Sequence, residues 1–315
     1  EADFNEAGVE LKVTPYTKKA NGDLRAKERL VLTIINYMKD YAEEDFLKSH
    51  VYEKCALMLL IYYLYEPNKD RLDYVINYIK IFQIPEEDLE IIKNDYKIII
   101  DKIKNGKAEE ISEGDTNYLG ACTKGANANS LREQPFSDKK AMQRAFCLKN
   151  SYMSYILNHY IVNKTEKYES VIKDAKILRE QTLEQYIINK LQPYYNQDIE
   201  FLKHKFNIPY QASNKSFTYL LAKGMLEVVN EKIEEFEKAN IKIKAIRLRP
   251  DGMPKESMSF PTFKYTEIIN ENWLGSELYE TFSTTKYLFM IYQYLDDNTL
   301  VFKKAMFWNV PEKDL

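Results

Sequence analysis

Residues 3–12, with the sequence DFNEAGVELK, constrain the fold and the chemistry of this chain more than any other stretch. Apolar residues at every second position from Val9 onward alternate with polar ones, a pattern that predicts a β-strand. Such a strand places Glu10 and Lys12 on the same face. We expect Pro15 to end it, because proline lacks the N–H that a sheet ladder requires.

Asp3 precedes Glu10 by seven residues, at the entrance of this strand. Two carboxylates offer the hard oxygen ligands that Mg²⁺ prefers, and the metal would activate water and polarise a phosphate. Lys12 would orient that water or offset the developing negative charge. The motif therefore indicates metal-assisted phosphodiester hydrolysis, while an edge strand with a solvated polar face is the alternative that so short a pattern leaves open.

The bulk composition permits two domains and excludes few functions. A length of 315 residues allows two cores, and a net charge of -3 means that any DNA-binding surface is local. Cys55, Cys122 and Cys147 form no CxxC pair, which argues against a zinc site or a disulfide framework. We find no signal peptide and no apolar run of membrane-spanning length, so we expect a cytoplasmic protein without a membrane partner. The chain begins at Glu1 without an initiator methionine, and we expect residues upstream to be missing.

The pattern along the chain alternates strands and helices. Residues 30–35 predict a buried strand, and residues 56–62 predict either a second strand or a buried helix. Pro85 opens a helix with apolar residues at helical spacing, and Gly106 closes it. Thr182 begins a further helix with a capping box.

The segment 121–150 differs in charge from the rest of the chain, with six basic residues against two acidic ones. Gly125 and the pair Asn127 and Asn129 suit a loop that approaches a ligand closely, and Asn and Arg can read base edges. An ordinary solvated loop has the same composition. Together with the opening strand, the segment favours DNA as the ligand.

Several blocks of the sequence together resemble the MutH-like endonucleases that act at GATC, a family that includes type II restriction enzymes. The resemblance runs from Asp3 to about Asp314 and is carried by DFNEAGVELKVTP, KERLVLTIINY, SEGDTNYL, TKGANANSLR, QRAFCLKNSYMSYIL and KESMSFPTFKY. It implies a nuclease of the PD-(D/E)xK class that makes Mg²⁺-dependent double-strand cuts at GATC.

The resemblance also implies roles for single residues. Asp3 and Glu10 would bind the metal, Lys12 would be the catalytic lysine and Lys54 an additional active-site lysine. The resemblance also implies DNA contacts by Lys124, Arg144 and Lys149, and the composition of the segment 121–150 adds Asn127 and Arg132 to the residues expected to contact DNA.

Two departures from the family stand out. Cys122 occupies a position where MutH has arginine, so base reading does not carry over residue by residue. The family's extra active-site glutamate lies upstream of the motif aspartate, before Glu1.

Residues 234–244 can be laid on residues 2–12 without a gap. Lys242 then meets Glu10 and Lys244 meets Lys12, and further on residues 287–292 repeat residues 58–63. These matches predict an internal repeat, with chance similarity of two alternating strands as the alternative. Two neighbouring lysines cannot hold Mg²⁺ but suit a phosphate backbone. Restriction enzymes of the family likewise carry a second, non-cutting domain that binds DNA as an effector.

We therefore predict an α/β protein of two tandem MutH-like PD-(D/E)xK-type domains, each a mixed sheet flanked by helices, the second a degenerate copy. The catalytic domain would span 1–178, without its N-terminus, and the pseudo-nuclease effector domain 179–315, truncated at its C-terminus. The expected partners are double-stranded DNA, a cognate DNA methyltransferase in the same restriction-modification system, and a second subunit if the enzyme dimerises on DNA. A DNA-binding regulator that does not cut is the alternative.

Overall fold

The opening stretch forms the predicted strand, but the strand continues past Pro15. In the computed structural model, which describes residues 2–19, 22–125, 130–164, 167–209, 214–260 and 262–315, strand β1 spans Glu10–Lys18. The carbonyl of Pro15 accepts a hydrogen bond from the Lys27 N–H at 2.9 Å. The carbonyl and the N–H of a strand residue point to the same side of the strand. The N–H that Pro15 lacks would therefore point toward Lys27, and no hydrogen bond to the parallel neighbour of β1 is lost. The expectation that Pro15 ends the strand was wrong for this reason.

The chain divides into two compact units of mixed α/β structure. Unit 1 comprises Glu1–Glu166, Glu237–Ala239 and Pro311–Lys313, and unit 2 the remaining residues. The division falls after residue 166 rather than after 178, because the following residues bind within unit 2. There the Glu235 carboxylate accepts hydrogen bonds from the Ser170 hydroxyl and from the N–H groups of Val171 and Ile172.

Unit 1 is built around two sheets. Its further strands are β2 Leu24–Ala26, β3 Leu30–Ile34, β4 Met58–Leu64, β5 Ile76–Phe82, β6 Leu119–Thr123, β7 Leu131–Gln134, β8 Ser137–Met142 and β9 Arg144–Leu148. Its helices are α1 Tyr37–Asp40, α2 His50–Glu53, α3 Glu86–Lys104 and α4 Asn150–Tyr155. One sheet has the order β2-β1-β4-β5, with β1 and β4 parallel, and the other has the order β3-β9-β6. The predicted strands at 30–35 and 56–62 are thus confirmed as β3 and β4.

Helix α3 supplies much of the core of unit 1. It follows Pro85 as predicted and buries an apolar stripe that includes Ile92, Ile99 and Ile103. Gly106 lies just beyond its end with φ 67°, a left-handed conformation that glycine adopts at low cost. A Cβ at Gly106 would lie 2.5 Å from the carbonyl oxygen of Phe136, so no other residue fits there without a shift.

Unit 2 contains one four-stranded sheet covered by helices. The strands of unit 2 are β10 Tyr168–Glu169, β11 Gln197–Asp198, β12 Lys232–Ile233, β13 Ile241–Leu248, β14 Lys286–Tyr294 and β15 Leu300–Trp308. The helices that begin in unit 2 are α5 Leu183–Leu191, α6 Ile199–Lys205, α7 Asn214–Met225, α8 Glu234–Lys238, α9 Tyr265–Ile268 and α10 Glu277–Thr284. The capping box predicted at Thr182 is present at the start of α5. The sheet order is β11-β15-β14-β13, with β13 and β14 parallel.

Three neighbouring strands of unit 1 pair in the same register as three neighbouring strands of unit 2. Glu10 of β1 lies opposite Met58 of β4, and Lys242 of β13 lies opposite Tyr287 of β14. In both units a hairpin then adds the third strand antiparallel to the central one. The hairpin irregularity also recurs at the same place, between the fifth and sixth residues counted from Met58 and from Tyr287.

The three cysteines are free and buried. Among the described residues, no helix is both long enough and apolar enough to cross a membrane.

Candidate active site on strand β1

The backbone before β1 folds back so that Asp3 meets the strand. A 3₁₀ turn over Asn5–Ala7 ends at Gly8, which adopts a left-handed conformation with φ 63°. This reversal lets Phe4 and Val9 form an isolated β-bridge. The N–H of Leu11 then donates to Oδ2 of Asp3 at 3.0 Å. The Asp3 carboxylate therefore lies beside the peptide that links Glu10 to its neighbour.

Glu10 is a buried carboxylate held by two lysines. Its residue is 4% exposed, Lys12 Nζ donates to Oε1 and Lys54 Nζ donates to Oε2, each at 3.0 Å. Burial by itself raises the pKa of Glu10, but the hydrogen bonds and charges of the two lysines outweigh it and hold that pKa below its usual value. The carboxylate is therefore ionised at neutral pH. The structure thus brings the side chains of Glu10, Lys12 and Lys54 into contact and places the Asp3 carboxylate on the adjoining peptide.

Lys54 reaches Glu10 from the end of helix α2, where it is the C-cap residue. Ser49 caps the other end of this short helix: its Oγ accepts from the Tyr52 N–H at 3.2 Å and donates to the Phe46 carbonyl at 2.7 Å. Ser49 is 1% exposed. Ser49 could not be identified from the sequence, because a single serine before HVYE lacks the acidic or amide residue three positions on that marks a capping box.

The residues at this site fit a magnesium ion. Asp3 is exposed, Glu10 is ionised, and both offer hard oxygen ligands on adjoining backbone. Mg²⁺ keeps several of its waters and is commonly bound by one or two carboxylates, so two suffice. In the part of the chain that the structure describes, no group of three or more His, Cys, Asp or Glu residues could hold a metal ion. The nearest histidine in sequence, His50, instead lies 4.0 Å from Asp40.

The residues predicted to contact DNA fall into different environments. Lys124 at the end of β6 and Arg132 on β7 are exposed. Asn127 lies outside the described residues. Arg144 and Lys149, by contrast, are 3% and 2% exposed.

The two buried cations bind groups of their own unit. Arg144 donates to the Ala121 carbonyl at 2.8 Å and lies 2.7 Å from Glu312, and Lys149 donates to the Thr116 carbonyl at 2.5 Å. A basic residue in a charged segment is expected on the surface. These two are buried because Arg144 begins β9, which is buried along its length, and Lys149 directly follows it. Their burial disfavours the predicted contact with DNA.

Asp95 of α3 is a supporting residue that sequence reasoning missed. Its carboxylate is fully buried and accepts from the N–H groups of Asn117, Tyr118 and Leu119, at 2.6 to 3.0 Å. These three residues lead into β6, the strand that ends beside Lys124. In the sequence, an aspartate on an amphipathic helix is indistinguishable from one on a solvated face.

The predicted repeat of the motif in unit 2 has different surroundings. Lys242 is exposed, whereas its counterpart Glu10 is buried. Lys244 donates to the Ser259 carbonyl at 2.6 Å and lies 5.5 Å from the ring centroid of Phe260.

Comparison with known proteins places this site in a family. The model of a family described as "DNA mismatch repair enzyme MutH" matches residues 1–95, which include Asp3, Glu10, Lys12 and Lys54. Residues 1–95 are therefore similar to the MutH family. The chain is also similar to "Type II restriction enzyme Sau3AI" from Staphylococcus aureus, with 40% identity over 329 residues that cover 99% of this chain and 66% of that protein. The chain thus spans slightly less than two thirds of the length of this relative.

Proposed function

We propose that this protein is a type II restriction endonuclease that makes Mg²⁺-dependent double-strand cuts in DNA at GATC. The observation that carries the proposal is the buried Glu10 carboxylate, which both Lys12 and Lys54 bind while Asp3 lies on the adjoining peptide. An ordinary ion pair at the edge of a sheet would require neither burial of the carboxylate nor a second lysine. The 40% identity to Sau3AI supports the same activity.

The chemistry follows from the positions of these side chains. Asp3 and Glu10 would hold Mg²⁺, and the bound ion would polarise the phosphate and lower the pKa of the attacking water. Hydrolysis joins the water oxygen to phosphorus and breaks one ester P–O bond. Lys12 offsets the negative charge that develops on the phosphate, where a positioned cation is most effective. Lys54 fixes the second oxygen of Glu10, so the carboxylate keeps one orientation throughout the reaction.

Lys124 and Arg132 are the exposed cations of unit 1 that we propose to contact the DNA, together with Asn127 on the basis of sequence. Each phosphate contact adds to the salt dependence of binding. A dimer on DNA would allow both strands to be cut. The cleavage activity also implies a cognate methyltransferase that protects the host's own GATC sites, and a cytoplasmic location.

Unit 2 is proposed to be a degenerate copy of the nuclease domain that binds a further DNA duplex as an effector. The shared register supports common descent of the two sheets, and Lys242 in place of Glu10 removes a metal ligand. Lys242 and Lys244 supply positive charge for the phosphate backbone. Occupancy of this domain would stimulate cutting by unit 1 through differential DNA contacts in active and inactive states.

The effector role is tested with plasmids that carry one or two GATC sites, cut with and without an added uncleavable GATC duplex. We expect faster cutting of the two-site plasmid and stimulation of the one-site plasmid by the added duplex. Equal rates, unchanged by the duplex, would contradict the effector role.

The nuclease activity is tested with Glu10→Ala and Lys12→Ala. Both variants should lose cleavage of a GATC plasmid in Mg²⁺, while their binding to a GATC duplex in Ca²⁺ stays within about tenfold of the parent, because these groups act on transition-state charge. Lys18→Ala, an exposed lysine on the same strand, is the matched control and should cut normally. A non-cutting regulator is the alternative function, and specific binding by the parent protein without nicking in Mg²⁺ would favour it.

A further inference from the structure

Two of the three buried cysteines lie side by side on the second sheet of unit 1. Cys147 of β9 lies opposite Gly120 of β6, and two residues further along β6, Cys122 lies opposite Ala145. Because residues two apart on a strand share a face, Cys122 and Cys147 are diagonal neighbours on one face of the sheet. Both belong to one core cluster, and a hydrogen bond links their thiols. The fold therefore brings together two thiols that lie far apart in the sequence.

The two thiols differ in acidity. The hydrogen bond that Cys147 donates holds the pKa of Cys122 below its usual value, although burial acts in the opposite direction. The positive charges of Arg29 and Lys124 also lower the pKa of Cys122. The same hydrogen bond, together with burial, raises the pKa of Cys147. Cys122 is therefore the nucleophile of the pair, because the thiolate is the reactive form of cysteine, and Cys147 is a second thiol held beside it.

Cys122 also lies closer to solvent than Cys147. It is the penultimate residue of β6 and is followed by the exposed residues Thr123 and Lys124, whereas Cys147 is 0% exposed inside β9. The end of a strand opens more readily than its centre, so a small reagent reaches Cys122 first. Cys55 has neither property, because it is fully buried and burial raises its pKa to about 12.

We propose that Cys122 and Cys147 form a redox-sensitive pair that a peroxide converts into an intramolecular disulfide. The sulfur of Cys122 attacks one oxygen of hydrogen peroxide and the O–O bond breaks. The other oxygen leaves as water with the Cys122 proton, and Cys122 becomes a sulfenic acid. The sulfur of Cys147 then attacks the sulfur of Cys122, the S–O bond breaks, and the hydroxyl leaves as water with the Cys147 proton. Two electrons pass from the sulfurs to the peroxide.

The disulfide would draw the end of β6 toward β9. Diagonal neighbours on antiparallel strands lie about 7–8 Å apart, whereas the Cα atoms of a disulfide lie at most about 6.8 Å apart. Closure therefore shifts a backbone in which the N–H of Lys124 donates to the Gln143 carbonyl at 2.9 Å. Lys124 is one of the cations proposed to contact DNA, so we expect oxidation to weaken DNA binding. This consequence rests on the proposed function, and the disulfide does not.

The chemistry is tested by treating the 315-residue protein with hydrogen peroxide, alkylating the remaining thiols after denaturation, and mapping the peptides by mass spectrometry. We expect loss of two of the three thiols and a cross-link between Cys122 and Cys147, while Cys55 stays reduced as an internal control. Cys147→Ala should stop at a sulfenic acid on Cys122, which dimedone traps. Cys122→Ala should keep both of its thiols.

Oxidation of Cys55 as fast as that of Cys122 would overturn the proposal, because it would mean that the peroxide reacts only after general unfolding. Conversion of Cys122 to a sulfinic acid without a cross-link in the parent protein would overturn it as well. Disulfide-linked dimers in place of the internal cross-link would have the same meaning.

The consequence for DNA is tested by binding to a GATC duplex in Ca²⁺ before oxidation, after oxidation and after reduction with dithiothreitol. Oxidation should weaken binding a few-fold, and dithiothreitol should restore it. Cys122→Ala, treated in the same way, should show no change. Equal affinity of the reduced and the cross-linked parent would overturn the link between the cysteine pair and DNA. Absence of duplex binding by the reduced parent would instead contradict the proposed function.

Discussion

The sheets of the two units have the same backbone frame and different chemistry. In unit 1 the frame holds Glu10 buried between Lys12 and Lys54. In unit 2 the same register holds an exposed Lys242 and a Lys244 that binds the Ser259 carbonyl. Strand register depends on backbone pairing and on which face is apolar, so it survives changes at single polar positions. A metal site depends on a few charges and is lost by one substitution.

The largest expected effect comes from giving unit 1 the residue found in unit 2. Glu10→Lys replaces a metal ligand with a cation beside Lys12 and Lys54, and three like charges at one point repel both one another and Mg²⁺. We expect cleavage of a GATC plasmid to fall by about a thousandfold or more, as for loss of a key electrostatic group. Binding to duplex DNA in Ca²⁺ and the circular-dichroism spectrum check that the protein still folds. Residual cleavage near the parental rate would show that Glu10 is not a ligand.

A smaller effect on cleavage is expected from replacing one of two serines that cap helices in the same way. Ser49 caps α2, and Ser276 caps α10 in the same way: it donates to the Trp273 carbonyl at 2.8 Å and accepts from the Tyr279 N–H at 3.0 Å. Either Ser→Ala change should cost about 1 kcal/mol of stability through the lost cap. Only Ser49→Ala should also lower the cleavage rate, by about tenfold, because α2 positions Lys54.

The readouts for the serine pair are the melting temperature and the single-turnover cleavage rate. Matched losses of melting temperature with unequal losses of rate would support the positioning role. Equal rates for the two variants would reduce Ser49 to a structural cap.

A still smaller effect is expected from Lys242→Ala in unit 2. If Lys242 contacts one phosphate, its loss should weaken DNA binding by a few-fold and reduce the slope of log K against log salt by about one. Thr299→Ala, at a partly exposed and uncharged position of the same unit, is the control and should leave the slope unchanged. An unaltered slope for Lys242→Ala would argue against a role of this lysine in DNA binding.

Much of the site could be predicted from sequence because its parts lie close together in the chain. Asp3, Glu10 and Lys12 fall within ten residues, so strand periodicity alone put two of them on one face. Lys54 is distant in sequence, and only resemblance to a family indicated it.

The errors and omissions share a physical cause. The burial of Arg144 and Lys149 depends on which strand becomes central in the second sheet, and the role of Asp95 depends on backbone from residues 117–119. Neither is encoded in local periodicity. The continuation of β1 through Pro15 likewise depends on the side of the strand toward which the N–H that proline lacks would point.

The smallest effect is the one expected from Lys242→Glu, which rebuilds a carboxylate at the position of Glu10. The new glutamate would lie opposite Tyr287, with Lys244 two residues on. The remaining partners are nonetheless missing. Ser283, four residues before Tyr287, stands where Lys54 stands relative to Met58. Glu235, which the repeat aligns with Asp3, already accepts hydrogen bonds from the backbone of residues 171 and 172.

A carboxylate without a second ligand or a second lysine should not hold Mg²⁺ in a productive geometry, because both ligand number and orientation are set by the surrounding groups. We therefore expect no gain of activity. The sensitive measurement is the double variant Glu10→Ala with Lys242→Glu, in which the background from unit 1 is removed. Cleavage of a GATC plasmid above the level of Glu10→Ala alone would mean that unit 2 retains a usable metal site and that its divergence from unit 1 rests on one residue.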